Sequence, residues 1–124
     1  MPIARSIQNL PVRAEADAVP RTVDYLRVSV TDRCNERCLY CLPENFTDWT
    51  PRASILKDDE ILAIIRAAVS IGFRNFRLTG GEPLIRQGIA ELTRRVVAEL
   101  GVQSVSMTSI ATRLAPLACD LFQA

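Results

Sequence analysis

A chain of 124 residues is long enough for one modest domain with its own core, but not for a complete eight-stranded α/β barrel, which takes roughly 250 residues. Its composition is 48% hydrophobic and 23% charged with a formal net charge of +1, so charge gives no reason to expect a nucleic-acid or anionic-membrane partner. It contains no run of about 18 apolar residues that would serve as a membrane span.

Residues 1–22 hold Pro2, Pro11 and Pro20 without a steady period and predict a flexible N-terminal arm, followed by a core domain over 23–124. The first 23 residues are interrupted by Arg5, Arg13, Glu15, Asp17 and Arg21 and lack the apolar centre of a secretory leader. A reducing, cytoplasmic setting is therefore expected, where clustered thiols signal metal or catalysis rather than disulfides. Leu26 to Thr31 alternates with period two and predicts a first strand. A cysteine loop follows from Asp32 to Glu44, then a polar stretch to Ala53.

Asp58, Asp59 and Glu60 suit the first turn of a helix. Ile61, Leu62, Ile64, Ile65, Ala68 and Val69 give it an apolar stripe, and Gly72 is placed to stop it. Asn75 to Thr79 predicts the second strand, which Gly80-Gly81-Glu82-Pro83 turns out of. A second helix is expected from Gln87 to Leu100, with Ile89, Leu92, Val96 and Val97 on one side. A third strand over Gln103 to Thr108 and a weaker helix over Leu114 to Phe122 complete the pattern. Strands alternating with helices imply parallel pairing through right-handed crossovers.

The faces of the three strands are unequal. Val28, Val30, Phe76, Leu78, Val105 and Met107 fall on one side, while Arg27, Ser29, Thr31, Arg77, Thr79, Ser104, Ser106 and Thr108 fall on the other. A parallel sheet buried on both faces would be apolar throughout. One polar face suits a sheet that receives a polar ligand there. Arginine on such a face is costly unless paired, and guanidinium forks match phosphate oxygens; pairing of both arginines with carboxylates such as Asp32 is the plainer alternative.

Cys34, Cys38 and Cys41 crowd into one loop, far from the fourth cysteine, Cys119. Soft thiolates suit iron–sulfur clusters and zinc. Structural zinc takes four protein ligands, and no histidine is present to complete three cysteines, although Cys119 offers a fourth thiol. Three cysteines can instead hold three corners of a cubane cluster and leave one iron open. Iron–sulfur, zinc and metal-free thiols all stay in view from spacing alone. The adjacent glycines of Gly80-Gly81-Glu82-Pro83 allow close backbone approach to a ligand, or form an ordinary turn between strand and helix; no Walker-type phosphate loop is present.

The run Cys34-Asn35-Glu36-Arg37-Cys38-Leu39-Tyr40-Cys41 resembles the Cys-x3-Cys-x2-Cys motif of radical S-adenosylmethionine enzymes, and Gly80-Gly81-Glu82 resembles their Gly-Gly-Glu motif. The resemblance implies a [4Fe–4S] cluster on Cys34, Cys38 and Cys41, with S-adenosyl-L-methionine chelating the fourth iron and yielding a 5′-deoxyadenosyl radical on reduction. It also implies cofactor contacts from Tyr40, Gly80, Gly81 and Glu82, the last toward the methionyl ammonium. Tyr40 otherwise reads as a loop anchor. The fold implied is α/β: the N-terminal portion of an incomplete (TIM-like) barrel with about three parallel strands and crossover helices.

The longer stretches from Asp24 to Asn35, Tyr40 to Glu44 and Phe76 to Arg86 closely resemble the GTP 3′,8-cyclase family of molybdenum-cofactor biosynthesis. That likeness implies GTP as substrate, with Arg27 directed at it and Arg77 at its triphosphate, Thr108 beside the cofactor, and an electron donor. The pattern departs at Ser109-Ile110-Ala111-Thr112, where the family continues with Thr-Asn-Gly, and at Asn75, where it commonly has a basic residue. Its later strands and second cysteine cluster are not in the chain. The expected protein is thus a truncated radical S-adenosylmethionine core, incomplete for lyase catalysis alone. A small iron–sulfur electron-transfer module and an interaction protein completed by a partner chain are the alternatives.

Overall fold

The computed structural model describes residues 22–124; the arm expected over residues 1–22 lies, apart from Thr22, outside the described residues. Three strands, β1 (Tyr25–Ser29), β2 (Asn75–Thr79) and β3 (Ser104–Met107), form one parallel sheet in the order β1-β2-β3. Helix α1 (Asp58–Ser70) joins β1 to β2, α2 (Ile89–Glu99) joins β2 to β3, and α3 (Leu114–Gln123) follows β3. The sheet is open, as the incomplete-barrel pattern predicts.

Strand β1 is shorter at its end than the alternation predicts. In the parallel ladder Tyr25 faces Asn75 and Ser29 faces Thr79, and the Val30 amide adds one further bond to the Thr79 carbonyl at 2.9 Å. The Thr31 carbonyl accepts from Gly81 in the turn after β2 rather than from a strand, and the chain bends at Asp32. Helix α1 begins where the acidic turn predicts: Glu60 Oε2 accepts from the Lys57 amide at 2.7 Å, closing the first turn.

One side of the sheet packs on α1 and α2. Val28, Val30, Phe76 and Leu78 meet Ile61, Leu62, Ile65 and Ala68 of α1 and Ile89, Leu92 and Val96 of α2. Ile64 and Val97, expected on the apolar stripes, are instead 45% and 46% exposed. Each lies about 100° or less beyond the centre of its stripe, and a three-stranded sheet is too narrow to cover that flank. Helix α3 contributes no buried residue; Leu117 packs against the core, while Phe122 is exposed.

The opposite face is polar, as the strand pattern predicts. Register places Arg27, Arg77 and Ser106 in one row across the three strands. Arg86 locks the turn after β2 to the end of β1 and the start of α1, donating to the carbonyls of Val30 and Leu56 and to Asp58 Oδ1. Among the described residues no helix is long and apolar enough to cross a membrane.

Candidate functional site

Parallel strands bring their carboxyl ends to one rim, so the loops leaving β1 and β2 meet there. Gly81 N donates to Thr31 O at 2.9 Å and Glu82 N to Arg33 O at 2.8 Å. The approach is tight enough to demand both glycines. A Cβ on Gly80 would stand 2.2 Å from the Thr31 carbonyl oxygen, and one on Gly81 would stand 2.2 Å from that of Arg33. The close contact expected of the two glycines is therefore made to protein backbone, fixing the entry of the cysteine loop against the Gly-Gly-Glu turn.

Around this crossing Cys34, Cys38, Tyr40, Cys41, Gly81, Glu82, Thr108 and Ile110 line one cavity of about 190 Å³. Gly80 lies just behind it, at the backbone crossing. All three thiols are free, and Cys119, exposed on α3, does not line this cavity. Among the described residues no three His, Cys, Asp or Glu side chains stand close enough to hold a metal ion as arranged. The donor set is nonetheless of the kind that a soft metal or an iron–sulfur cluster takes: three thiols from one loop line one cavity. Leu39 and Tyr40 form its exposed tip, Tyr40 at 92% exposure. The Cys41 amide bonds to the Cys38 carbonyl at 2.9 Å, and Cys34 Sγ accepts from the Glu36 amide at 3.4 Å.

Glu82 is buried at 1% exposure rather than solvated. Its Oε1 accepts from the Leu84 amide at 2.9 Å and from Ser109 Oγ at 2.8 Å, and its Oε2 accepts from the Ile110 amide at 2.9 Å. Nothing in the sequence pairs Glu82 with the segment after β3; only the parallel β2–β3 register brings them together. That segment is the one where the family pattern breaks. Ala111, standing where the family has glycine, adopts φ 64°, a left-handed conformation that costs an L-residue about 1–2 kcal/mol. The substitution Ala111→Gly is expected to raise stability by about 0.5–1 kcal/mol after the extra unfolded-state entropy of glycine is subtracted, read as a higher urea midpoint.

Arg27 and Arg77 are lateral neighbours on β1 and β2. Arg77 Nε donates to Ser106 Oγ at 3.2 Å and Nη1 to Thr108 Oγ1 at 3.5 Å, and its guanidinium lies 5.8 Å from the Tyr25 ring centroid. Neither arginine meets a carboxylate among the described residues; Asp32 pairs with Arg33 instead, at 3.6 Å. Like charges directly opposite one another in a sheet are destabilising, so the pair favours an anion. Burial pushes the Asp32 carboxyl up, but hydrogen bonding from Thr50 and the Arg33 charge outweigh it and leave it below the ordinary carboxylate range. The stability it contributes is present above the free-carboxylate pKa and is lost as pH falls through the depressed one. Asn75, in place of a basic residue, bonds to Asp24 Oδ2 and accepts from Ser104 Oγ.

Comparison with protein families matches residues 28–124 to the Radical SAM superfamily. Among curated relatives, the GTP 3′,8-cyclase of Pseudomonas putida (strain GB-1) is 47% identical over 112 residues, covering 90% of this chain and 33% of the relative. Those of Pelotomaculum thermopropionicum and Rippkaea orientalis are each 47% identical, over 75% and 82% of this chain and 29% and 32% of their own. The chain spans about a third of the length of these relatives. It belongs to the radical SAM superfamily and is closely related to the GTP 3′,8-cyclases over most of its length.

Proposed function

We propose that the chain forms the cluster-binding and cofactor-binding part of a GTP 3′,8-cyclase. Cys34, Cys38 and Cys41 would hold a [4Fe–4S] cluster, and Tyr40, Gly80, Gly81, Glu82 and Thr108 would surround S-adenosyl-L-methionine beside it. The observation that carries this reading is the single cavity shared by all three thiols, the Gly-Gly-Glu turn and the end of β3. The chemistry such a cluster supplies when bound is one-electron reduction of S-adenosyl-L-methionine, with the protein contributing orientation and electrostatics.

The chain's own groups divide the work. At about 190 Å³ the cavity is smaller than the roughly 300 Å³ usual for a small-molecule site, so the exposed loop tip must move outward to admit the cofactor, after which the Tyr40 ring can cover it. Glu82 would receive the methionyl ammonium by exchanging one of its present donors for it, keeping a buried carboxylate satisfied. Arg27 and Arg77, adjacent on the polar face, would hold the triphosphate of GTP, with Arg77 linking the two ligands through its bond to Thr108. The helices cover only the apolar side of the sheet, leaving the polar face open, and radical chemistry needs water excluded. A further barrel segment or a partner chain would supply the opposite wall, and an external donor the electron.

Anaerobic reconstitution with iron and sulfide tests the reading. Wild-type protein is expected to take up about four irons per chain and, once reduced, to cleave S-adenosyl-L-methionine to methionine and 5′-deoxyadenosine. Cys34→Ala, Cys38→Ala and Cys41→Ala should each lose most of the iron, whereas Cys119→Ala should retain it. Iron uptake indifferent to the three loop cysteines would sink the proposal.

A further inference from the structure

The first half of the cysteine loop is tethered by a residue outside both motifs. Trp49 is the chain's only tryptophan and is half-buried. The guanidinium carbons of Arg33 and Arg37 each lie 5.4 Å from its ring centroid, within cation–π range. Phe46 braces the same indole edge-on, with ring centroids 4.8 Å apart at 87°. The next residue adds two bonds: Arg33 Nη2 donates to Thr50 O at 2.6 Å, and Asp32 Oδ2 accepts from Thr50 N at 2.7 Å. Arg37 Nη1 in turn donates to the carbonyls of Cys34 and Glu36, at 3.2 and 2.9 Å. Arg33 and Arg37 stand on either side of Cys34, so the indole gathers both ends of the segment that carries the first thiol.

We infer that Trp49 is a positioning residue for the metal site, holding the Cys34 segment in place through Arg33 and Arg37. The inference rests on the reading of the three cysteines as soft-metal donors. Two physical consequences follow from the arrangement. Ordering a loop costs conformational entropy each time a metal is bound, and a loop already clasped to a braced ring has less of that cost left at binding. Two guanidinium charges are also held on the segment that carries the first thiol, where positive charge would favour the more reduced, more negative state of a bound cluster and raise its reduction potential.

Zn²⁺ serves as the probe for the cluster-free protein, since three thiolates bind it without sulfide or reductant. Affinity is read by competition with a chromophoric chelator at fixed pH, and Trp49 emission is followed in the same titration. In the wild type the emission is expected to change in step with Zn²⁺ uptake. Trp49→Ala should weaken Zn²⁺ binding about tenfold, the scale on which residues supporting metal ligands act. Trp49→Phe, which keeps an aromatic face for the arginines, should stay within about threefold of wild type, and the double variant Arg33→Gln/Arg37→Gln should fall near Trp49→Ala with the tryptophan intact. Thermal unfolding of each variant separates loss of fold from loss of site, and the double variant carries the test if Trp49→Ala does not fold. Unchanged Zn²⁺ affinity in folded Trp49→Ala or in the double variant overturns the inference, as does Zn²⁺ saturation without any change in wild-type emission. Should the wild type bind Zn²⁺ through its loop thiols but fail to assemble iron with sulfide, the cluster reading falls while the role of Trp49 is still decided by the Zn²⁺ comparison.

Discussion

Replacing Gly80 with alanine is expected to remove about 4 kcal/mol of stability, a large share of what a domain of this size possesses, and to lower the melting temperature by roughly 15–30 °C. Two separate penalties meet at this position. Gly80 has φ 150°, outside the range that a side chain readily allows, and its Cβ would sit 2.2 Å from the Thr31 carbonyl oxygen. The first costs about 1–2 kcal/mol; the second forces two backbone segments apart, at a cost of about 1–3 kcal/mol. Gly101→Ala is the internal control. Gly101 also has positive φ, at 62°, but a Cβ there meets nothing within 4 Å, so that change should cost only about 1 kcal/mol. Thermal denaturation of both variants checks the difference; equal melting temperatures would show that the crossing yields easily to a methyl group.

Glu82→Ala is expected to cost about 3 kcal/mol, because it strands the Leu84 amide, Ser109 Oγ and the Ile110 amide, and unsatisfied buried polar groups cost about 1–3 kcal/mol each. Partial access of water to Ser109 and Ile110, both exposed residues, keeps the total below the sum. The loss should be local as well as global. Amide exchange at Ile110 is expected to accelerate in Glu82→Ala while amides in the middle of β2 stay protected, since the tether binds the segment after β3 and not the ladder itself. Glu82→Gln keeps the shape and one acceptor oxygen and should fall between the two. An Ile110 amide that exchanges at the same rate in wild type and Glu82→Ala would contradict this account.

The local patterns of the sequence carry most of the fold. Alternation in β1, β2 and β3 and the acidic start of α1 each arise from neighbours along the chain, and the structure reproduces them within a few residues. The unequal faces were equally legible, since a period of two decides which side chains share a face before any strand is paired. What escaped depends on contacts between distant segments. The early end of β1 follows from the bond between Thr31 and Gly81, and the exposure of Ile64 and Val97 follows from the width of the sheet. The cysteine and Gly-Gly-Glu motifs come together at one rim, and to the two reasons the sequence offered for the paired glycines, approach to a ligand or an ordinary turn, the structure adds a third, close packing on the backbone of Thr31 and Arg33. The engagement of Glu82 with Ser109 and Ile110 was invisible for the same reason. Trp49 sits in the polar stretch after the cysteine loop, outside both motifs; the arginines either side of Cys34 were the available signal that its ring has a particular place.

The bonds between Thr31 and Gly81 and between Arg33 and Glu82 also set an order of events during synthesis. Translation runs from the N-terminus, so the three thiols emerge well before the glycines that seat their loop, and the intervening chain must first build α1 and β2. Throughout that interval the cysteines belong to a nascent, solvent-exposed segment, open to oxidation or to adventitious metal. If the loop holds a cluster as proposed, its loading is best placed after the second strand has docked, when the ribosome has already delivered the turn against which the loop is held.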